Sequence, residues 1–308
     1  MNVYLPIAEM SVPIYLFVGM GAAVGFLSGM FGVGGGFLMT PLLILAGVPS
    51  PIAVGTEAAQ IVASSVSGAL AQWRRKNIDI KMGTVLLAGG LIGSVLGVQA
   101  VRALRQTGQF DLVVTLCYVT MLGAVGSLML VESISTMRQS KAGKPPQPRR
   151  PGQHNWIHGL PFKTRFHRSK LYISVIPPFL LGVFNGFLSG IMGVGGGFIL
   201  VPAMIYLLKM PTNVVVGTSL YQIVFVTAAT TIMQATWNYT VDIILAILLM
   251  VGGVIGAQLG AVAGAKLKGE ELRFWMAALV LLVALRMAYT LFAHPGELYT
   301  IGSVFTGH

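Results

Sequence analysis

The sequence predicts an all-α polytopic membrane protein: two inverted-topology repeats of five helical segments each, with broken or re-entrant helices at two Gly-rich motifs. Three observations predict it: an apolar composition poor in charge, long stretches with no charge at all, and an internal duplication split by a basic linker. Of 308 residues, 55% are hydrophobic and only 9% charged, with 20 Lys and Arg against 9 Asp and Glu. Soluble domains carry about 25% charged residues, which argues against a soluble enzyme, and the mean hydropathy of +0.80 indicates a membrane protein. In such a chain the 39 glycines imply close helix packing and helix breaks rather than a flexible polymer. The single cysteine, Cys117, excludes an intramolecular disulfide and any multi-cysteine metal site.

The elements follow from where the charges lie. No charged residue occurs between Glu9 and Glu57 or between Lys170 and Lys209, and a crossing needs only about 20 apolar residues. Residues 133–170 break the pattern, with nine basic residues, no acidic ones and the proline-rich run KPPQPRRP. This stretch reads as a cytoplasmic linker, and residues 138–170 also suit contact with anionic lipid. The remaining 11 basic and 9 acidic residues nearly cancel, so the net charge of +11 does not indicate nucleic-acid binding. No basic leader or small-residue cleavage site precedes the first span, which is therefore expected to be retained.

GFLSGMFGVGGGFLMTP at residues 25–41 recurs as GFLSGIMGVGGGFILVP at residues 186–202, identical at 12 of 17 positions. Val54-Gly55-Thr56 matches Val216-Gly217-Thr218, Gln60 matches Gln222, Gln72 matches Gln234, and Asp79 matches Asp242. The organisation is a transmembrane repeat over 12–132, the linker over 133–170 and a second repeat over 171–293. Expected segments are 13–31, 37–48, 51–72, 81–103 and 110–132, then 171–192, 198–209, 212–235, 241–265 and 271–293. An odd number of segments inverts the second repeat. Loop charge agrees: a cytoplasmic linker places Arg74, Arg75, Lys76 and Lys81 inside as well, whereas the matching loop at 236–242 has no basic residue. Both termini are then expected outside a bacterial inner membrane.

Each glycine motif precedes a segment of about 12 residues, which reaches about 18 Å at 1.5 Å each against a core of about 30 Å, so that segments 37–48 and 198–209 are either half-helices of a re-entrant hairpin or steep, thinly covered spans. Gly32, Gly34, Gly35 and Gly36, with Gly193, Gly195, Gly196 and Gly197, therefore read as helix breaks. Their free amides and helix dipole ends would hold an anion near the midplane. Tight helix packing alone is the competing reading. A dinucleotide loop is excluded because Phe37 occupies the last glycine position of the frame and no Gly-Lys-Ser/Thr follows. Thr56 and Gln60, like Thr218 and Gln222, stand at i and i+4 and could donate hydrogen bonds to a substrate or join helices. Glu57, where the second repeat has Ser219, is a candidate proton-coupling residue. Asn185 and Arg286 are secondary candidates, the first to cap the broken backbone and the second also placed to snorkel. The histidines lie in the linker and the C-terminal tail, and no catalytic residue, metal site or cofactor is expected.

With SGMFGVGGGFLMTP and SGIMGVGGGFILVP, each followed by a VGT helix, a polar loop and a GGxxG helix, the chain resembles the sulfite exporter TauE/SafE family of membrane permeases. The resemblance implies a secondary transporter, chiefly an exporter, of a small sulfur-containing oxyanion such as sulfite, thiosulfate or an organosulfonate. A passive anion channel and a membrane component of sulfur metabolism are the rival readings. Two departures stand out: Glu57 occupies the position of serine in the family pattern, and the linker is long.

Overall fold

The long apolar stretches form helices because a helix pairs its backbone amides within a single segment of the bilayer. A computed structural model describes residues 2–31, 36–141, 162–166, 168–169, 171–264 and 269–293. Gly32, Gly34, Gly35, most of the basic linker and all five histidines lie outside the described residues. The first repeat contains α1 (Ile14–Phe31), α2 (Gly36–Leu45), α3 (Ser50–Arg74), α4 (Ile80–Gln106) and α5 (Phe110–Lys141). The second contains α6 (Ile176–Met192), α7 (Gly197–Tyr206), α8 (Thr212–Met233), α9 (Ile243–Gly264) and α10 (Gly269–Ala293), with α8 continued by a π-helical turn at Gln234–Asn238.

These are the ten expected segments, with small shifts at their ends. Among the described residues, four helical stretches are long and apolar enough to cross a membrane: Ile80–Gln106, Phe110–Ser135, Val214–Asn238 and Ile243–Gly260. Large apolar side chains such as Leu96, Leu128, Ile247, Leu259, Leu282 and Leu285 point outward and are exposed. That outer surface suits lipid, and the chain is a multi-pass membrane protein.

Two elements depart from an all-helical expectation. A hairpin of β1 (Asn2–Leu5) and β2 (Met10–Pro13) precedes α1, and one of β3 (Lys163–Phe166) and β4 (Leu171–Ser174) precedes α6. Residues 171–174, expected as the start of a helix, are strand, and α5 runs beyond 132 to Lys141. The strands alternate as half-buried strands do, with Leu5 and Val12 inward in one hairpin and Phe166 and Ile173 in the other. Their registers match: Asn2 pairs with Pro13 and Lys163 with Ser174, a shift of 161 residues that equals the shift between Gly25 and Gly186. The duplication therefore reaches into the hairpins, where no residue identity reveals it.

The principal helix pairings cross between repeats and are reciprocal. α1 packs on α9, α4 on α6, α3 on α8 and α5 on α10. Gly21, Gly25 and Gly29 of α1 lie against the backbone of Leu249, Gly253 and Ala257. Gly182, Gly186 and Gly190 of α6 lie in the same way against Leu86, Gly90 and Gly97. At these positions the glycines serve close helix approach, where any Cβ would collide with the facing main chain.

Candidate functional site

The break between α6 and α7 is built by three glycines in the left-handed region, Gly193, Gly195 (φ 69°) and Gly196. Gly193 (φ 72°) ends α6 by donating its amide to Ser189 O at 2.9 Å, and Gly196 (φ 74°) starts α7 by accepting from Ile199 N at 3.1 Å and Leu200 N at 2.9 Å. An L side chain is strained at such angles, and there is no space for one: it would strike Val54 O at Gly193 and the Asn185 carboxamide at Gly196. All of residues 193–197 are buried, and no side chain caps the first turn of α7. Pro202 inside α7 and Pro41 inside α2 have no N–H for the carbonyl four residues earlier, weakening each short helix near its start.

The two breaks meet. A Cβ on Gly36 would lie 2.8 Å from Val194 O, and the next residue, Phe37, stacks on Phe198 with ring centroids 4.7 Å apart and 11° between planes. α3 lies alongside: Val54 contacts Gly193 and Ile61 contacts Gly195. Glu57 stands three residues after the first and four before the second, on the same helical face. It is fully buried, and neither carboxylate oxygen has a hydrogen-bond partner.

Tyr118 of α5 completes this side of the site. Its hydroxyl donates to Met192 O at 2.6 Å, on the last residue of α6, and its ring is buried close to Glu57. Tyr118 is not among the residues that the sequence pattern singles out. A signal was available, because Tyr118 is the only tyrosine in α5 and a buried tyrosine hydroxyl normally has a partner.

Gln60 and Gln222 take equivalent positions, each against a glycine of the facing helix: Gln60 on Gly253 of α9 and Gln222 on Gly90 of α4. Gln222 Oε1 accepts from Asn185 Nδ2 at 3.3 Å. Gln222 Nε2, Asn185 Oδ1, Gln60 Oε1 and Ser189 Oγ are buried without partners. Buried polar groups are normally paired, so this concentration of unpaired ones suits a ligand. The uncapped amides of α7 and these rotatable carboxamides can supply donors to an anion.

Thr56 and Thr218 hold structural bonds. Thr56 Oγ1 accepts from Asp242 N at 3.0 Å, and Thr218 Oγ1 from Asp79 N at 3.1 Å. Asp242 Oδ1 caps α9 at Ile244 N and Leu245 N, both 3.1 Å, while its Oδ2 accepts from Ile7 N in the first hairpin at 3.0 Å. Asp79 Oδ1 caps α4 at Met82 N (3.2 Å), and its Oδ2 accepts from Ser169 N (2.9 Å) and Oγ (2.7 Å) in the second hairpin. Each aspartate thus ties a hairpin and a VGT helix to the start of a long helix. Arg286 is exposed on α10, with its guanidinium carbon 6.0 Å from the Tyr289 ring centroid.

Comparison with known proteins places these features in a wider set. A family model described as "Sulfite exporter TauE/SafE" matches residues 17–287. A Bacillus subtilis protein named "Probable membrane transporter protein YjnA" is 29% identical over 278 residues, covering 90% of this chain and 100% of the relative. A "Probable membrane transporter protein" from Xylella fastidiosa strain 9a5c is 30% identical over 263 residues, covering 82% of this chain and 86% of the relative. One from Methanocaldococcus jannaschii is 25% identical over 289 residues, covering 88% and 94% respectively. No solved structure matches the chain.

Proposed function

Since the chain belongs to the sulfite exporter TauE/SafE family of membrane transporters, we propose that it exports a small sulfur-containing oxyanion such as sulfite, thiosulfate or an organosulfonate across the bacterial inner membrane by alternating access. The observation that carries this reading is the meeting of the two helix breaks, Gly36 against Val194 and Phe37 on Phe198, beside buried side chains with unpaired polar atoms. Uncharged amide donors hold an oxyanion and still release it, because hydrogen bonds from neutral groups are weaker than those from charged ones. The Gly-rich breaks, Gln60, Gln222 and Asn185 form the proposed binding set, with Thr56 and Thr218 shaping its walls. Glu57 is the proposed proton site: a carboxyl in a membrane interior without a partner is suited to take up a proton and return it when the site opens.

The proposed topology is inverted, with the linker cytoplasmic and both termini outside. Contacts that join segments assigned to one side support it: Ile7 with Asp242 and Arg105 with Asn238 on the outer side, Ser169 with Asp79 and Arg168 with Lys76 on the inner side. The basic segment 138–170 would then lie against the anionic cytoplasmic leaflet.

The test is flux in proteoliposomes with a panel of sulfite, thiosulfate, sulfate and sulfonates. Saturable uptake of a sulfur oxyanion, accelerated by the same anion on the opposite side, is expected. Linear flux without trans-acceleration would make the protein a channel, and transport of none of the panel would overturn the substrate class.

A further inference from the structure

The two breaks are duplicated in sequence, but their surroundings are not. Asn185 stands one residue before the second motif, and the matching position in the first repeat, one residue before Gly25, is Val24. Glu57 follows the first VGT triplet, where the second has Ser219. Tyr118 lies in α5, and at the repeat offset of 161 to 163 residues α10 presents only Leu279, Val280 and Leu281. All three of these unmatched polar side chains converge on the second break: Asn185 on Gly196, Tyr118 on Met192 O, and Glu57 between the α3 residues that touch Gly193 and Gly195.

Resting on the transport reading above but narrowing its binding set, which there included both breaks and Gln60, we infer that the chain holds its anion at one place, the second break, and that the Asn185–Gln222 carboxamide couple determines what binds there. The Asn185 carboxamide lies flat against Gly196, the residue that starts α7, and its Oδ1 is buried without a partner. Its Nδ2 is held by Gln222 Oε1. Turning both terminal amides by half a rotation preserves that bond, now from Gln222 Nε2 to Asn185 Oδ1, and presents Asn185 Nδ2 to the break as a donor. An arriving oxyanion would select the donor orientation, joining the amide to the uncapped N–H groups of α7. In the first repeat Gln60 has no such partner, because Val24 stands where Asn185 would be. That break packs through Gly36 on Val194 and Ile61 and acts as a scaffold for the second.

The experiment measures radiolabelled sulfite uptake in proteoliposomes, with thermal unfolding of each purified variant as the control for folding. Asn185→Asp keeps the size and shape of the side chain but removes the donor and adds a negative charge. It should raise KM by about tenfold or more at a melting temperature close to that of the parent, since a hydrogen bond to a charged group contributes about that factor in affinity. Asn185→Val, the residue of the first repeat, should do the same, and Asn185→Ser, which restores a small donor, should recover part of the loss. Val24→Ala, at the matching position of the first repeat, should leave KM unchanged. An unchanged KM in Asn185→Asp, or a rise in KM as large in Val24→Ala, would overturn the inference. Failure of the parent protein to transport sulfite or any other anion of the panel would instead overturn the transport reading on which it rests.

Discussion

Phe37 and Phe198, 161 residues apart, lie with ring centroids 4.7 Å apart and planes 11° from parallel. Each follows the last glycine of its motif, so the stack joins the starts of the two short helices. Stacked aromatic pairs contribute about 0.5–1.5 kcal/mol beyond the area they bury. A double-mutant cycle with Phe37→Leu and Phe198→Leu, read by unfolding in mixed micelles, should therefore return a coupling of about 1 kcal/mol. A coupling near zero would show that the two breaks do not support one another.

The aspartate junctions give a second expectation. Asp242 caps α9 and receives the Ile7 amide, so Asp242→Ala removes a cap and leaves a hairpin amide without its partner. Loss of stability of about 1–3 kcal/mol should follow, with faster proteolysis within residues 2–13. Thr56→Val should produce a smaller loss in the same direction, while Thr56→Ser, which keeps the acceptor for Asp242 N, should stay close to the parent. If Thr56→Ser instead abolished transport at unchanged stability, the threonine would be acting on substrate.

Glu57 provides a test of coupling. Glu57→Gln preserves the shape of a fully buried side chain while removing its capacity to exchange a proton. Transport in this variant should lose its dependence on an imposed pH gradient yet still show exchange of anion for anion. An unchanged response to the gradient would remove Glu57 from the coupling mechanism.

The inverted arrangement can be tested by labelling. In a Cys117→Ala background, cysteines replacing Arg75 and Tyr239, both exposed and in corresponding loops of the two repeats, should react with an impermeant maleimide from opposite sides. Labelling of both from the same side would refute the inversion. The backbone already treats these loops alike, since Lys76 and Tyr239 adopt left-handed angles of 58° and 53°.

The helices were legible because membrane burial leaves a direct trace, an absence of charge, and the duplication was legible because its glycines cannot be replaced without collision. Gly186 cannot vary while Gly90 faces it, so the motif that carries it persists in both repeats. The hairpins left no such trace. Strands of four residues fix only the alternation of their side chains, and Leu5 and Phe166 fill equivalent places without being the same residue. The site was half legible. Glu57 stood out as an acid in a charge-free stretch, and Gln60 and Gln222 by their matched spacing, as candidates, but Thr56 and Thr218 meet aspartates 186 and 139 residues away, and Tyr118 reaches a carbonyl 74 residues away. No local pattern encodes such distances.

The crossed pairing of helices also dictates an order of assembly. α1 finds its glycine-lined partner only in α9 and α4 only in α6, so the first repeat contains none of the principal pairs. As the chain is synthesised, α1 cannot make this contact until α9, which ends at residue 264, has been made. Neither half is then a folding unit on its own.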